Sequence, residues 1–288
     1  METKSSYRIL HFPLSQILLG IIICCGIVAI GQVGILQLLK LTALDKDAKN
    51  LINGLVAALL IVGSYILWFR FYEKRAISEL SPTGMSRWLI VGIALGAVLQ
   101  SLTILVIYLA GGFRVIAVNS LLLAIPSLAG ALAVAVFEEI IVRGIVFRLI
   151  EKRWGSYVAL LLSALIFGAL HLANPNSSVI AALGLAIQAG LLLGSAYIYS
   201  RSLWFPIAIH FAWNFTETGI FGASVSGNAV GRSLLTTKID GADWLTGGMF
   251  GPEGSIQATL FCLAATISLL LLSRRQNKLI GPAARLKG

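Results

Sequence analysis

Long apolar stretches separated by short polar breaks dominate the chain from Leu14 onward. A helix needs ~20 apolar residues to cross a hydrocarbon core of ~30 Å. Eight stretches approach or exceed that length, at about 14–39, 50–71, 88–110, 119–148, 155–173, 178–200, 203–222 and 255–273. Each predicts a transmembrane helix. The breaks carry turn formers: Ser81-Pro82-Thr83-Gly84, Gly111-Gly112, Asn174-Pro175-Asn176 and Gly251-Pro252-Glu253-Gly254. The first stretch is much longer than a signal-peptide core and shows no small-residue cleavage site, so it reads as a mature span. The only long stretch outside the spans, about 223–254, is too short for a second domain. The pattern thus predicts an all-α, polytopic integral membrane protein of about eight helices, forming a single membrane domain over 1–288.

Composition supports this. Of 288 residues, 58% are hydrophobic and 12% charged, whereas soluble domains carry about a quarter charged residues. The net charge of +10 resembles that of a nucleic-acid binder, but Lys and Arg cluster at the ends of the apolar stretches, where orientation signals beside anionic lipid belong. No segment interleaves basic and aromatic residues as a single-strand groove does. The expected surroundings are the lipid bilayer, with no nucleic-acid partner. With the amino terminus inside, fifteen Lys and Arg fall on the face that holds both termini. Six fall on the other face: Lys40, Lys46, Lys49, Arg114, Arg232 and Lys238. Arg143 is left within the membrane. That asymmetry predicts both termini in the cytoplasm and an even number of spans. The expected location is a bacterial cell membrane. Cys24, Cys25 and Cys262 all lie in apolar stretches without a C-x-x-C and read as packing residues.

Ionisable groups at bilayer depth are expensive and mark functional sites. Only Glu138, Glu139 and Glu217 among the acids, and His171 and His210 among the histidines, fall in spans; His11 lies in the amino-terminal tail. Helical neighbours differ by about 100° around the axis, so Glu138 and Glu139 are expected to face different ways. Glu139 and Arg143 stand at i and i+4, the better order for an ion pair. That leaves Glu138 as the reactive carboxylate. Phe167 and His171 share one helix face, and so do His210 and Asn214. Glu217 continues the His210 stripe and reads as a helix-end residue near the outer interface, with an accessory acid as the alternative. A buried salt-bridge knot is the structural alternative for the charged motif, because such pairs often stabilise no better than apolar packing.

The set is chemically sufficient for hydrolysis. A partly desolvated carboxylate can take a proton from water; an imidazole can orient that water; a second imidazole and a carboxamide can donate to an oxyanion. Alternatively, Glu138, His171 and His210 form an N,N,O ligand set for a divalent metal, with zinc preferred. The sequence leaves both routes open. There is no H-E-x-x-H, no pair of membrane aspartates and no G-x-S-G serine, which removes the zincin, aspartyl and rhomboid-like chemistries.

The motifs E-E-x-x-x-R at Glu138–Arg143, F-x-x-x-H at Phe167–His171 and H-x-x-x-N at His210–Asn214 occur in this order over roughly 119–222. Together they resemble the core of the CPBP intramembrane proteases, which comprise the type II CAAX prenyl endopeptidases and the bacteriocin-processing or immunity (Abi) proteins. The resemblance implies endoproteolysis of a membrane-embedded or membrane-associated peptide or protein. It also implies water activation by Glu138 with His171, oxyanion stabilisation by His210 and Asn214, and a supporting role for Glu139 and Arg143. A metal-dependent member of the family would use a metalloendopeptidase route. The competing readings are a non-catalytic scaffold or immunity protein, and a small transporter using Glu138, Glu139 and Gln188.

Overall fold

The computed structural model describes residues 12–283. His11 and the basic residues Lys4, Arg8, Arg285 and Lys287 lie outside the described residues. Among the described residues, seven helices are long and apolar enough to cross a membrane: α1 (Pro13–Lys40), α2 (Lys46–Tyr72), α3 (Met85–Leu109), α4 (Leu121–Trp154), α5 (Ser156–Ala173), α6 (Val179–Ser200) and α8 (Ile256–Arg275). An eighth, α7 (204–220), is shorter. The helices begin where capping chemistry sets them. Asp45, Ser178 and Ser255 accept backbone N–H groups at the starts of α2, α6 and α8, and Pro13 occupies the first turn of α1. Ile30, Leu59 and Phe71 are largely exposed on α1 and α2, as suits helices that meet lipid. The protein is an all-α polytopic membrane protein.

Polar contacts divide the helix ends into two faces. On one, Arg148 pairs with Glu73 at 2.8 Å, Arg201 with Glu151 at 2.6 Å, and Lys278 Nζ donates to Tyr199 O at 2.5 Å. This face collects the ends of α2, α4, α6 and α8. On the other, Arg114 and Lys238 both pair with Asp240, at 2.9 and 3.0 Å, and Arg232 pairs with Asp47.

Two findings correct the sequence reading. First, α4 continues to Trp154 rather than ending at 148. Second, a two-stranded antiparallel sheet sits on the face that carries Asp240. Strands β1 (Phe113–Val118) and β2 (Leu235–Ile239) pair with Phe113 opposite Ile239 and Val118 opposite Leu235, and the register is irregular at Ile116.

The packing of α3 on α7 is close and positions the site. A Cβ added at Gly96 would lie 2.3 Å from Ile209 O, and one at Gly92 would lie 2.5 Å from the Ala208 methyl. Small residues four apart let the two backbones touch. The start of α7 is itself enclosed. Leu203 N donates to Glu79 O at 2.8 Å, and Trp204 Nε1 donates to Ser81 O at 3.0 Å.

Three stretches are π-helical: Ile140–Phe147 in α4, Ala186–Gly190 in α6 and Phe215–Ile220 in α7. Wide turns of this kind frequently occur at functional sites. The first is braced from outside, since Gly144 O accepts from Tyr65 Oη at 3.0 Å and Arg148 Nε at 2.9 Å.

Candidate active site

The extension of α4 brings the site residues to one depth. Glu138 is 16 residues from Trp154 and His171 is 16 from Gly155, about 24 Å each at 1.5 Å per residue. His210 lies only six residues into α7, but that helix starts inside the protein. The three side chains therefore meet. Glu138 Oε2 lies 3.8 Å from His171 Nε2 and 3.9 Å from His210 Nε2. This oxygen is buried and has no protein hydrogen-bond partner.

Glu139 does more than neutralise Arg143. Its Oε1 lies 2.8 Å from Arg143 Nη1 and 3.0 Å from His210 Nδ1, and both acid and arginine are fully buried. The expectation that adjacent glutamates must serve different places fails because an imidazole has two edges. Glu139 takes the Nδ1 edge and Glu138 faces the Nε2 edge. Arg143 Nη2 donates to Gly190 O at 3.0 Å, in the wide turn of α6. Its guanidinium also lies 4.7 Å from the centre of the Phe167 ring. The same ring packs on His171 at 4.7 Å and edge-on to His210 at 6.0 Å. One aromatic side chain thus holds three functional groups in place.

The hydrogen bonds assign the protons. His171 Nδ1 stands 2.8 Å from Phe167 O, and a carbonyl only accepts, so Nδ1 carries the proton and neutral His171 presents a lone pair at Nε2. His210 Nδ1 donates to the Glu139 carboxylate, so His210 donates from Nε2 as well only when doubly protonated. The carboxylate of Glu139 stabilises that cation. Asn214, one turn beyond His210, lines the same cavity, and its side chain makes no hydrogen bond among the described residues.

That cavity measures about 640 Å³ and is lined by Glu138, His171, His210 and Asn214 on the helices, with Ser226 and Asn228 from the connection before β2. Ser226 also borders a second, small cavity of about 30 Å³ behind the histidines, room for a water or two.

Sequence reasoning missed Glu253, in the Gly-Pro-Glu-Gly turn. It is 3% exposed, accepts from Ser226 N at 2.6 Å and Ser226 Oγ at 2.7 Å, and lines the small cavity. Its backbone N–H donates to Glu217 at 3.2 Å, and Trp213 Nε1 donates to the other oxygen of Glu217 at 3.0 Å. Glu217, in the last turns of α7, is therefore enclosed by protein. The only sequence signal for Glu253 was a single acid flanked by glycines. Gly251 has φ of 116°, and a Cβ there would meet Ser224 O at 2.2 Å, so glycine is needed to seat the acid.

Burial pushes the Glu253 carboxyl above the usual carboxylate range, against the lowering effect of the hydrogen bonds from Ser226. A carboxyl raised on folding holds its proton in the native state. Stability should therefore fall as pH rises from the ordinary glutamate value of ~4.3 through the raised one. Glu253→Gln should flatten that part of the pH profile of thermal unfolding in detergent; an unchanged profile would show that the slope has another source.

The N,N,O donors and the unpartnered Glu138 oxygen are of a kind zinc accepts. However, among the described residues no three His, Cys, Asp or Glu side chains are gathered so as to hold a metal ion. The separations of 3.8 and 3.9 Å exceed the ~3.4 Å between donors of a tetrahedral zinc shell with bonds of ~2.1 Å. The arrangement as it stands does not fit the metal.

Fold and site define a helical membrane protein with a carboxylate–histidine centre between its spans. The model of the family described as Rce1-like, type II CAAX prenyl endopeptidase, matches residues 119–216, which run from just before α4 into α7 and include all six candidate site residues. The match and the three ordered motifs make this segment similar to the CPBP/CAAX proteases. No curated protein and no solved structure gives a significant match to the chain.

Proposed function

We propose that the protein is an intramembrane endopeptidase that hydrolyses a peptide bond of a membrane-associated protein or peptide with Glu138 as general base. The observation that carries this reading is the meeting of Glu138 Oε2 with two imidazole Nε2 atoms at the wall of the large cavity. The family match supports CAAX-type endoproteolysis in general. Oε2 of Glu138 and Nε2 of neutral His171 are both acceptors, so a water between them donates one O–H to each and turns its lone pair outward. As the water oxygen bonds to the carbonyl carbon, Glu138 takes the proton. The resulting oxyanion accepts from His210 Nε2–H and Asn214 Nδ2–H. Collapse breaks the C–N bond, and Glu138 returns its proton to the leaving amine. Glu139 keeps His210 cationic and fixed, while Arg143 and Phe167 hold Glu139 and both rings.

The test is cleavage of a peptide library by the purified protein. His171→Ala should lower cleavage ~10²-fold, the scale of a misplaced reactant, because the water loses one of the two acceptors that aim it, and dialysis against a chelator should leave the wild-type rate unchanged. Full activity in His171→Ala removes the proposal. Loss on chelation, restored by zinc, would assign the same three atoms to a metal. The scaffold or immunity reading instead expects no cleavage and full biological function in the variant.

A further inference from the structure

The large cavity is not symmetric between the two faces of the bundle. Its wall on α4 begins at Ser127, near the start of that helix, and ends at Val142. Its other helical walls are the final turns of α5 and α7, and its mouth is formed by 225–231. All these elements end on the face that carries Asp47, the β1–β2 sheet and Asp240. Ser127 Oγ donates to Arg232 O at 2.6 Å, which ties the rim to that face. The opposite face carries the Arg148–Glu73 and Arg201–Glu151 pairs and the end of α8. Among the described residues it also holds eleven Lys and Arg, against six on the cavity side. Basic residues accumulate on the cytoplasmic side.

The lining carries a second message. Among the described residues it includes no Lys or Arg, and its one acid is Glu138. Arg232, beside the mouth, is paired with Asp47. A site built to grip a free carboxylate commonly places a lysine or arginine for it; the polar lining here is neutral beyond the catalytic groups (Ser127, Asn174, Thr218, Ser226 and Asn228), beside Gly130, Ala131, Val134 and Leu170. A volume of about 640 Å³ is within the range of pockets that enclose a ligand.

We propose that the catalytic cavity opens on the extracytoplasmic face and takes an internal stretch of peptide from that side, without recognising a substrate's C-terminal carboxylate. The orientation stands on topology alone; the fate of the bound peptide rests on the endopeptidase reading above.

Two arms test it. Ala229→Cys, at the exposed mouth, and Gln276→Cys, exposed just past α8, are each expressed in bacteria and treated with a membrane-impermeant maleimide. The parent protein, whose Cys24 and Cys262 are buried and Cys25 half-buried, gives the background. Labelling of Ala229→Cys in intact cells, and of Gln276→Cys only after permeabilisation, is expected. The reverse pattern, or labelling of both in intact cells, overturns the orientation. In the second arm the purified protein receives one cleavable peptide with either a free or an amidated C-terminus. Rates within about twofold are expected, and a tenfold preference for the free carboxylate overturns the internal-peptide assignment. Cleavage of neither peptide overturns the endopeptidase reading and the substrate half of this proposal, while the labelling still decides the orientation.

Discussion

Glu138→Gln abolishes measurable peptide cleavage while the protein keeps its fold: that is the largest effect expected from a single conservative change. The substitution preserves shape and volume, so packing around α4 is untouched. Glu138 Oε2 has no protein hydrogen-bond partner, so no structural bond is lost. What disappears is the proton acceptor. An amide is not a base at neutral pH, and its N–H₂ would turn toward the Nε2 acceptor of His171, 3.8 Å from the present oxygen, displacing the water. A missing general base costs ~10² to 10⁴ in rate, with the melting temperature in detergent near wild type. A variant within about twofold of wild-type activity would end the case for Glu138 as the base.

Gly96→Ala should damage both the fold and the site. The new Cβ would lie 2.3 Å from Ile209 O and 3.1 Å from the Ala212 methyl. A backbone oxygen cannot rotate away, so α3 and α7 must separate. Overpacking of this kind costs ~1–3 kcal/mol, sometimes more, and the helix that moves carries His210 and Asn214. Thermal unfolding and cleavage should decline together. Gly34→Ala is the control, because a Cβ there meets nothing within 4 Å. Equal melting temperatures for the two variants would show that the close approach of α3 and α7 carries no weight.

Much of this architecture was readable from residue order, and the failures have physical reasons. Hydropathy located the spans because lipid demands uninterrupted apolar helix. It misjudged the end of α4 because Arg148, Glu151, Lys152 and Arg153 read as a solvated connection. In the fold Glu151 is buried, held by Arg201 and Ser156. Strands β1 and β2 were missed because each is short and its partner lies more than a hundred residues away, so no local period announces them. The meeting of Glu138, His171 and His210 followed from motif order. The use of Glu139 on the far edge of His210 did not, since a helical projection treats a side chain as a direction and not as a body with two edges. The Gly92–Gly96 spacing, which marks the contact of α3 with α7, went unread in the sequence. Glu253 depended on a turn folding back over α7, which no pattern in that turn specifies.

The wide turn at Ile140–Phe147 bears on how such chains are compared. A π turn is an α turn carrying one extra residue, and each residue advances the helix by about 100°. Glu139 is the last residue before it and Arg143 sits inside it. Gain or loss of a single codon here would re-aim the arginine relative to its acid while leaving the hydropathy of the span unaltered. Related chains with and without the site should therefore align with a one-residue gap at this turn, a difference that identity scores barely register.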